Sequence, residues 1–205
     1  MITKGQSNFI KLVAISAMLL DHMGAFLYPA LIGLRIIGRI VFPLFAYQLT
    51  IGYSMTSSKK KYLERLLLFA FISQIPYYFL ASQFRLNILF SLILGIFAIL
   101  ALEKKKYYYF ILIIPASFFV EYQIYGLLVI LIFHLFKNQF AQLGLFTLAT
   151  FLYALYLFQP IQIFALLSFF IILKPFIEIN IPKNFFYIFY PAHLFAIWLI
   201  KIVFF

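Results

Sequence analysis

The stretch that decides the fold is Lys11-Leu-Val-Ala-Ile-Ser-Ala-Met-Leu-Leu-Asp21-His22-Met-Gly24, an apolar segment that carries an acid and an imidazole side by side. A second apolar segment follows after a short turn and carries Arg35 and Arg39 one helical turn apart. Ionisable side chains are costly to place in lipid, so within apolar helices they usually mark a functional site. We therefore predict that these four groups form one site.

The composition places this site in a membrane. The chain has 205 residues, of which 66% are hydrophobic and only 10% are charged. A soluble domain of this size has too little interior to hide so much apolar surface, and the continuous apolar runs argue against a transmembrane barrel. The sequence predicts an all-α, polytopic membrane helical bundle that forms a single domain over residues 1–205.

Turn residues and charges divide the chain into about nine apolar segments. The second segment contains Pro43, which is expected to kink it. The predicted membrane segments are 8–28, 31–56, 61–80, 86–102, 107–120, 124–137, 141–158, 161–176 and 185–204.

The loops between these segments differ in charge. Alternate loops hold lysine clusters, including 59–61 and 104–106, whereas the intervening loops hold only Arg85 and Glu121. Because cytoplasmic loops are rich in Lys and Arg, we predict an N-inside, C-outside protein of the bacterial cytoplasmic (inner) membrane. The net charge of +11 is explained by these loops, so no nucleic-acid partner is expected.

Helical geometry separates the two neighbouring polar residues of the first segment. Asp21 and His22 point about 100° apart, so Asp21 is predicted to pair with Arg35 or Arg39, which share a helix face. His22 is then left facing a cleft as a general base. The alternative is that the Asp–Arg pairs only join two helices, with His22 as a satisfied polar residue.

Two further histidines lie in later segments. His193 shares a helix face with Tyr190, and Pro191 between them bends the helix and frees a backbone carbonyl. These two residues either line a polar cavity or belong to a simple proline kink, and the second histidine within an apolar segment, His22, favours the cavity. His134, with only Lys137 near it in the sequence, is expected to be a core or interfacial residue. The histidines and carboxylates show no metal-ligand spacing, so no metal is expected.

Basic residues open the third segment. They form either a positive-inside anchor or a cytoplasmic phosphate-binding patch. The residues concerned are Lys59, Lys60, Lys61, Tyr62 and Arg65.

These stretches together resemble the TraX family. The resemblance covers Lys11–Gly24, Leu34–Pro43 and the 61–76 stretch, and it spans nearly the whole chain. It continues in order through Asn87, Tyr125-Gly126 and Tyr190-Pro191-x-His193-Leu194. One departure is that Glu121-Tyr122-Gln123 stands where the family has an Asp-Tyr-Gly-like turn, so the glycine is replaced.

The resemblance implies an acetyl-CoA-dependent O- or N-acyltransferase. The family is named for the protein that acetylates the N-terminus of F-type pilin, and it is similar to multi-pass acyltransferases that deliver acetyl groups across a membrane. The expected partners are therefore cytoplasmic acetyl-CoA, membrane lipids and an extracytoplasmic acceptor. That acceptor would present an amine or hydroxyl, as a protein N-terminus or a cell-surface glycan or lipid does.

The resemblance also implies roles for residues. His22 would be catalytic, with Asp21, Arg35 and Arg39 around it. The same cavity would be lined by His193 and Tyr190. The lysine patch with Tyr62 and Arg65 would bind acetyl-CoA, and the residues expected on the acceptor side are Tyr190, His193, Asn87, Glu121 and Arg85. A transporter or lipid-translocating protein that uses the same buried charges, and a non-catalytic membrane partner, are the other functions consistent with the sequence.

Overall fold

The computed structural model describes residues 2–81 and 84–204, and this part of the chain folds into ten α-helices. Two 3₁₀ segments, Tyr107–Tyr109 and Pro160–Leu167, precede α6 and α9. The helices are α1 (Lys4–Phe26), α2 (Ile32–Gly38), α3 (Val41–Met55), α4 (Lys59–Ala81), α5 (Ile88–Glu103), α6 (Phe110–Ser117), α7 (Gln123–Leu135), α8 (Gln139–Leu157), α9 (Ser168–Leu173) and α10 (Lys183–Phe204).

Length separates these helical segments into two groups. Five are long and apolar enough to cross a membrane: Lys4–Phe26, Ile32–Met55, Lys59–Ala81, Gln139–Leu157 and Asn184–Phe204. Four shorter apolar segments occupy the other predicted positions: Ile88–Glu103, Tyr107–Ser117, Gln123–Leu135 and Pro160–Leu173. The predicted all-α fold is thus confirmed over the described residues, with five helices that are candidates for crossing a membrane. The count of nine crossings and the N-inside orientation stay predictions.

The second predicted segment is broken rather than merely kinked. It divides into α2 and α3, with Arg39 and Ile40 in the turn between them. Pro43 lies in the first turn of α3, where its missing N–H cannot bond the carbonyl of Arg39 four residues earlier. The proline is therefore compatible with a break between α2 and α3, and Arg39 lies at this break.

The helix packing centres on α1 and α3. α1 contacts α2, α3 and α10, and α3 in turn contacts α7. Side chains with no exposed surface in this core include Ile10, Phe42, Leu44, Val129 and Ile130. The outward faces of α4, α8 and α10 carry large exposed apolar side chains, which suits contact with lipid.

The lysine-rich loops meet at one end of the bundle, called here the lysine-rich end. Glu103 accepts hydrogen bonds there from Lys59 Nζ at 2.9 Å and Tyr53 Oη at 2.6 Å. His134 Nε2 lies 3.8 Å from the same carboxylate. The expectation that His134 has no ionisable neighbour besides Lys137 is therefore wrong, because packing of α5 against α7 supplies Glu103.

The opposite end of the bundle is joined by a short backbone pairing. Leu86 N–H donates to the Phe119 carbonyl at 2.9 Å, and Glu121 N–H donates to the Leu86 carbonyl at 3.0 Å. The turn that follows is strained, because Tyr122 and Gln123 adopt φ values of 61° and 46°. Gln123 is the position where the TraX-like pattern has glycine, the residue that adopts this conformation without steric cost.

Candidate functional site

Asp21 accepts hydrogen bonds from both arginines of the second segment. Its Oδ1 lies 2.7 Å from Arg35 Nη1 and 3.1 Å from Arg39 Nη2. Arg35 Nη1 also donates to the Asp21 backbone carbonyl at 3.1 Å. The predicted ion pair is confirmed, and it includes both arginines rather than one.

Two glycines allow the helices to approach closely enough for this pair. A Cβ added at Gly38 would collide with the Asp21 carboxylate, and one added at Gly24 would lie 2.7 Å from Leu34 Cβ. The approach of α1 and α2 therefore depends on the absence of side chains at these two positions.

Each nitrogen of the Arg39 guanidinium donates a hydrogen bond. Besides Asp21, its Nε donates to the Arg35 carbonyl at 3.0 Å and its Nη1 donates to Gln162 Oε1 at 3.3 Å. Only 7% of Arg39 is exposed. Gln162 was missed by the sequence analysis, although an amide within the apolar Pro160–Leu167 stretch was a signal that a polar partner lies nearby.

His22 and His193 are in direct contact. His22 Nδ1 lies 2.8 Å from His193 Nε2, and the two ring planes are within 2° of parallel. His193 Nδ1 lies 2.9 Å from the Phe189 carbonyl. The prediction placed the two histidines in one cavity, whereas the structure joins them by a hydrogen bond.

The direction of these bonds follows from their partners. A carbonyl only accepts, so His193 carries its proton on Nδ1 and, when neutral, accepts at Nε2. His22 must then donate from Nδ1, which leaves His22 Nε2 as an unprotonated acceptor. Both nitrogens of His193 are within hydrogen-bond distance of protein atoms, and its predicted contact with an acceptor stays a prediction.

Aromatic side chains surround the histidine pair. Phe26 lies 5.6 Å from His22 between ring centroids, and Phe189 stacks on His193 at 5.0 Å. Tyr190 lies 5.5 Å from His193, and its hydroxyl is buried without a hydrogen-bond partner. An unsatisfied buried hydroxyl is available to a bound molecule.

Glu121 joins the same region from the turn before α7. It accepts a hydrogen bond from Tyr77 Oη at 2.8 Å and lies within electrostatic range of Asp21 and Arg35. The structure therefore brings Glu121 and Tyr190 together with the predicted catalytic residues.

Asn87 and Arg85 are placed differently. Asn87 is fully buried and caps α5: its Oδ1 accepts from Leu89 N–H, and its Nδ2 donates to the carbonyl of Ala70 and to Gln74 Oε1. These bonds give Asn87 a structural role, and its predicted contact with the acceptor stays a prediction. Arg85 is exposed at the edge of the bundle.

The basic residues predicted to bind the donor fall into two groups. Lys59 is tied to Glu103 and lies 4.2 Å above the Tyr53 ring, so its charge is already paired. Lys60, Lys61 and Arg65 are exposed, and Lys60 has only a long contact of 3.9 Å to Glu64. The exposed three, with the Arg65 guanidinium beside the Tyr62 ring, remain suited to phosphate binding.

The His, Asp and Glu side chains were also compared with the arrangements that bind metal ions. Within residues 2–81 and 84–204, no three His, Cys, Asp or Glu side chains are placed to hold a metal ion.

Comparisons with known proteins extend the resemblance seen in the sequence. The family described as TraX protein matches residues 6–201. An uncharacterized protein of Rickettsia prowazekii (strain Madrid E) is 38% identical over 98 residues, which cover 46% of this chain and 38% of that relative. No solved structure matches. Since the family match runs over nearly the whole chain, the protein belongs to the TraX family.

Proposed function

We propose that this protein is a membrane-embedded acetyltransferase. It takes an acetyl group from acetyl-CoA at the lysine-rich end and transfers it to an amine or hydroxyl acceptor at the opposite end. The observation that carries the proposal is the buried His22–His193 pair, which leaves one ring nitrogen of His22 free beside an arginine-rich cluster. Membership of the TraX family supports it.

His22 Nε2 acts as the general base in this proposal. It removes the proton of the acceptor as the acceptor nitrogen or oxygen attacks the thioester carbonyl. When the tetrahedral intermediate collapses, the carbon–sulfur bond breaks and the thiolate of CoA takes the proton from His22. The products are the acetylated acceptor and CoA, and His22 returns to its starting state.

Arg35 is better placed than Arg39 to stabilise the oxyanion of that intermediate. All three nitrogens of Arg39 already donate to protein oxygens. Arg35 is held to Asp21 through Nη1 alone and keeps 31% of its side chain exposed. A positioned guanidinium whose remaining N–H groups face the reacting carbonyl lowers the barrier because charge develops there.

The donor must reach across most of the bundle. His22 lies roughly 27 Å along α1 from Lys4, at the rise of an α-helix. We infer that the phosphates of CoA bind the exposed basic residues Lys60, Lys61 and Arg65. The pantetheine arm then runs between helices towards His22.

The test is transfer of label from radiolabelled acetyl-CoA to a membrane extract by the purified protein in lipid nanodiscs. Wild-type protein should produce a labelled acceptor, and His22→Ala should abolish the product while thermal unfolding stays unchanged. The matched control is His134→Ala, a histidine outside the site, which should retain activity. Full activity in His22→Ala would remove His22 as the base.

The same experiment separates the other functions. A transporter would move substrate without consuming acetyl-CoA, and a non-catalytic partner would show neither activity. If calorimetry showed that CoA binds but no acetyl group were transferred, the proposed donor site would be supported and the proposed transfer would not.

A further inference from the structure

Two apolar grooves lie side by side on α4, α5 and residues 84–86. One has a volume of about 450 Å³ and is lined by side chains that include Ile75, Tyr78 and Phe79. The other, of about 470 Å³, runs along α5. Phe84 and Leu86 line both grooves, so the two form one continuous surface, called here the α4–α5 groove.

The walls of this groove suit a hydrocarbon chain. Phe84 is 89% exposed, and Ile75, Tyr78 and Phe79 each have more than half of their surface open. In a chain whose long helices suit a membrane, such surface faces lipid. A small polar ligand would make no use of these walls, whereas an acyl chain would cover them.

The guanidinium of Arg85 supplies a positive charge beside the groove. Arg85 is one of the lining residues, it is exposed, and no carboxylate within the described ranges lies at ion-pair distance from it. It lies within electrostatic range of Tyr77 and Tyr153, neither of which neutralises it. Its charge is therefore available to an anion at the end of the bundle away from the lysine clusters.

The backbone that carries Arg85 is held in place by the polar side chains of Gln74 and Asn87. Gln74 Nε2 donates to the Arg85 carbonyl at 2.9 Å, while Gln74 Oε1 accepts from the backbone N–H of Asn87 at 3.0 Å. Asn87 is fully buried and bonded on to α4. These bonds fix the backbone of Arg85 beside the apolar walls of the α4–α5 groove.

We propose that the α4–α5 groove binds an anionic phospholipid, with an acyl chain along the apolar walls and the headgroup phosphate paired with Arg85. Arginine matches phosphate in a forked, charge-assisted geometry, which favours an anionic lipid over a zwitterionic one whose own ammonium competes for the phosphate. This site uses none of the catalytic residues of the acetyl-transfer proposal, although Arg85 was expected from the resemblance to lie on the acceptor side.

The chain carries a built-in reporter for this site. Trp198 is its single tryptophan, and the ring stacks on Phe79, a groove residue, with centroids 5.2 Å apart. Bromine atoms on a lipid chain quench tryptophan fluorescence at short range. A brominated lipid in the groove therefore quenches Trp198 more than one elsewhere in the bilayer.

The experiment compares two brominated lipids at equal mole fraction in reconstituted vesicles: phosphatidylglycerol and phosphatidylcholine. The expected result is a roughly fivefold stronger apparent binding of the anionic lipid, the effect of one basic side chain at a membrane surface. Arg85→Gln should abolish this preference, and Arg85→Lys should retain most of it. Equal quenching by the two lipids in wild-type protein would overturn the proposal.

Two controls complete the test. Lys201→Gln removes a cation three residues from Trp198 on the same helix, and it should leave the preference unchanged. Loss of the preference in this variant would assign it to general surface charge. Glycerol phosphate added to the solution should not relieve the quenching, because it cannot cover the apolar walls. Relief would mean that the phosphate contact alone holds the lipid, and this would overturn the role of the groove.

Discussion

Two carboxylates of this protein are each shared by two basic groups, and they lie at opposite ends of the bundle. Asp21 binds Arg35 and Arg39 with 11% of its side chain exposed, whereas Glu103 meets Lys59 and His134 with 36% exposed. Water can take the place of Lys59 or His134 at the exposed carboxylate of Glu103. It does not reach most of the Asp21 carboxylate. Burial therefore decides how strongly each carboxylate depends on its basic partners.

The difference assigns the two clusters different roles. Exposed ion pairs contribute little to stability because both ions remain solvated. A buried pair has lost that solvation, so each ion depends on its partner. The Asp21 cluster, beside the histidine pair, is suited to hold charged groups in a fixed geometry. The Glu103 cluster fastens the lysine-rich end.

The largest expected effect on stability is that of Asp21→Asn. The substitution leaves the buried Arg39 without the carboxylate that pairs with it, and this should lower the free energy of unfolding by roughly 3–5 kcal/mol. Unfolding of the purified protein in detergent with increasing denaturant measures it. A loss below about 1 kcal/mol would show that the cluster behaves like an exposed pair.

The next effect concerns the hydrogen bond between the two histidines. His193→Phe keeps an aromatic ring but removes the acceptor of His22 Nδ1–H, so kcat should fall roughly 10- to 100-fold, less than the full contribution of a general base. The KM for acetyl-CoA should not change. His193→Gln should recover part of kcat because its amide oxygen can accept the same proton.

A purely structural role for His193 would give a different pattern. Stability and KM would then change together with kcat, and the glutamine variant would show no recovery. Steady-state kinetics and thermal unfolding of the two variants separate these outcomes.

A smaller effect, of opposite sign, is expected in the turn before α7. Gln123→Gly relieves a left-handed backbone at φ 46° and should stabilise the protein by about 0.5–1 kcal/mol. The matched control is Gln139→Gly in the first turn of α8, where glycine should lower stability slightly. Destabilisation by both changes would contradict the strain assigned to Gln123.

The smallest effect belongs to Glu103→Gln, which should lower the free energy of unfolding by at most about 1 kcal/mol and less at high salt. Although desolvation opposes it, hydrogen bonds from Tyr53 and Lys59 lower the pKa of Glu103. This stabilisation is therefore present above the unfolded pKa of about 4.3 and lost as pH falls through the folded value. Stability curves of wild type and variant should converge in acid. A constant gap down to low pH would assign the effect to packing.

Much of the site near α1 could be predicted from neighbouring segments. Asp21 and the two arginines lie within two adjacent helices, so the cost of unpaired charge in an apolar environment was enough to pair them. Gln162 could not be assigned to the same place, because it reaches the site from a distant segment. Glu121 was expected near the acceptor only from the family resemblance. Lys59 was expected to serve the donor, and only the packing of α5 showed that Glu103 already neutralises it.

Hydrophobicity alone determined that this chain forms helices apolar enough to cross a membrane, because an apolar segment in lipid must satisfy its backbone hydrogen bonds within itself. Sequence also determined that Asp21 meets arginine. Only the tertiary structure decided that His22 meets His193, 171 residues away, and that the chain breaks at Arg39. Helical periodicity defines the direction of a side chain relative to its own helix. Which distant helix packs on that face depends on the packing of the whole bundle.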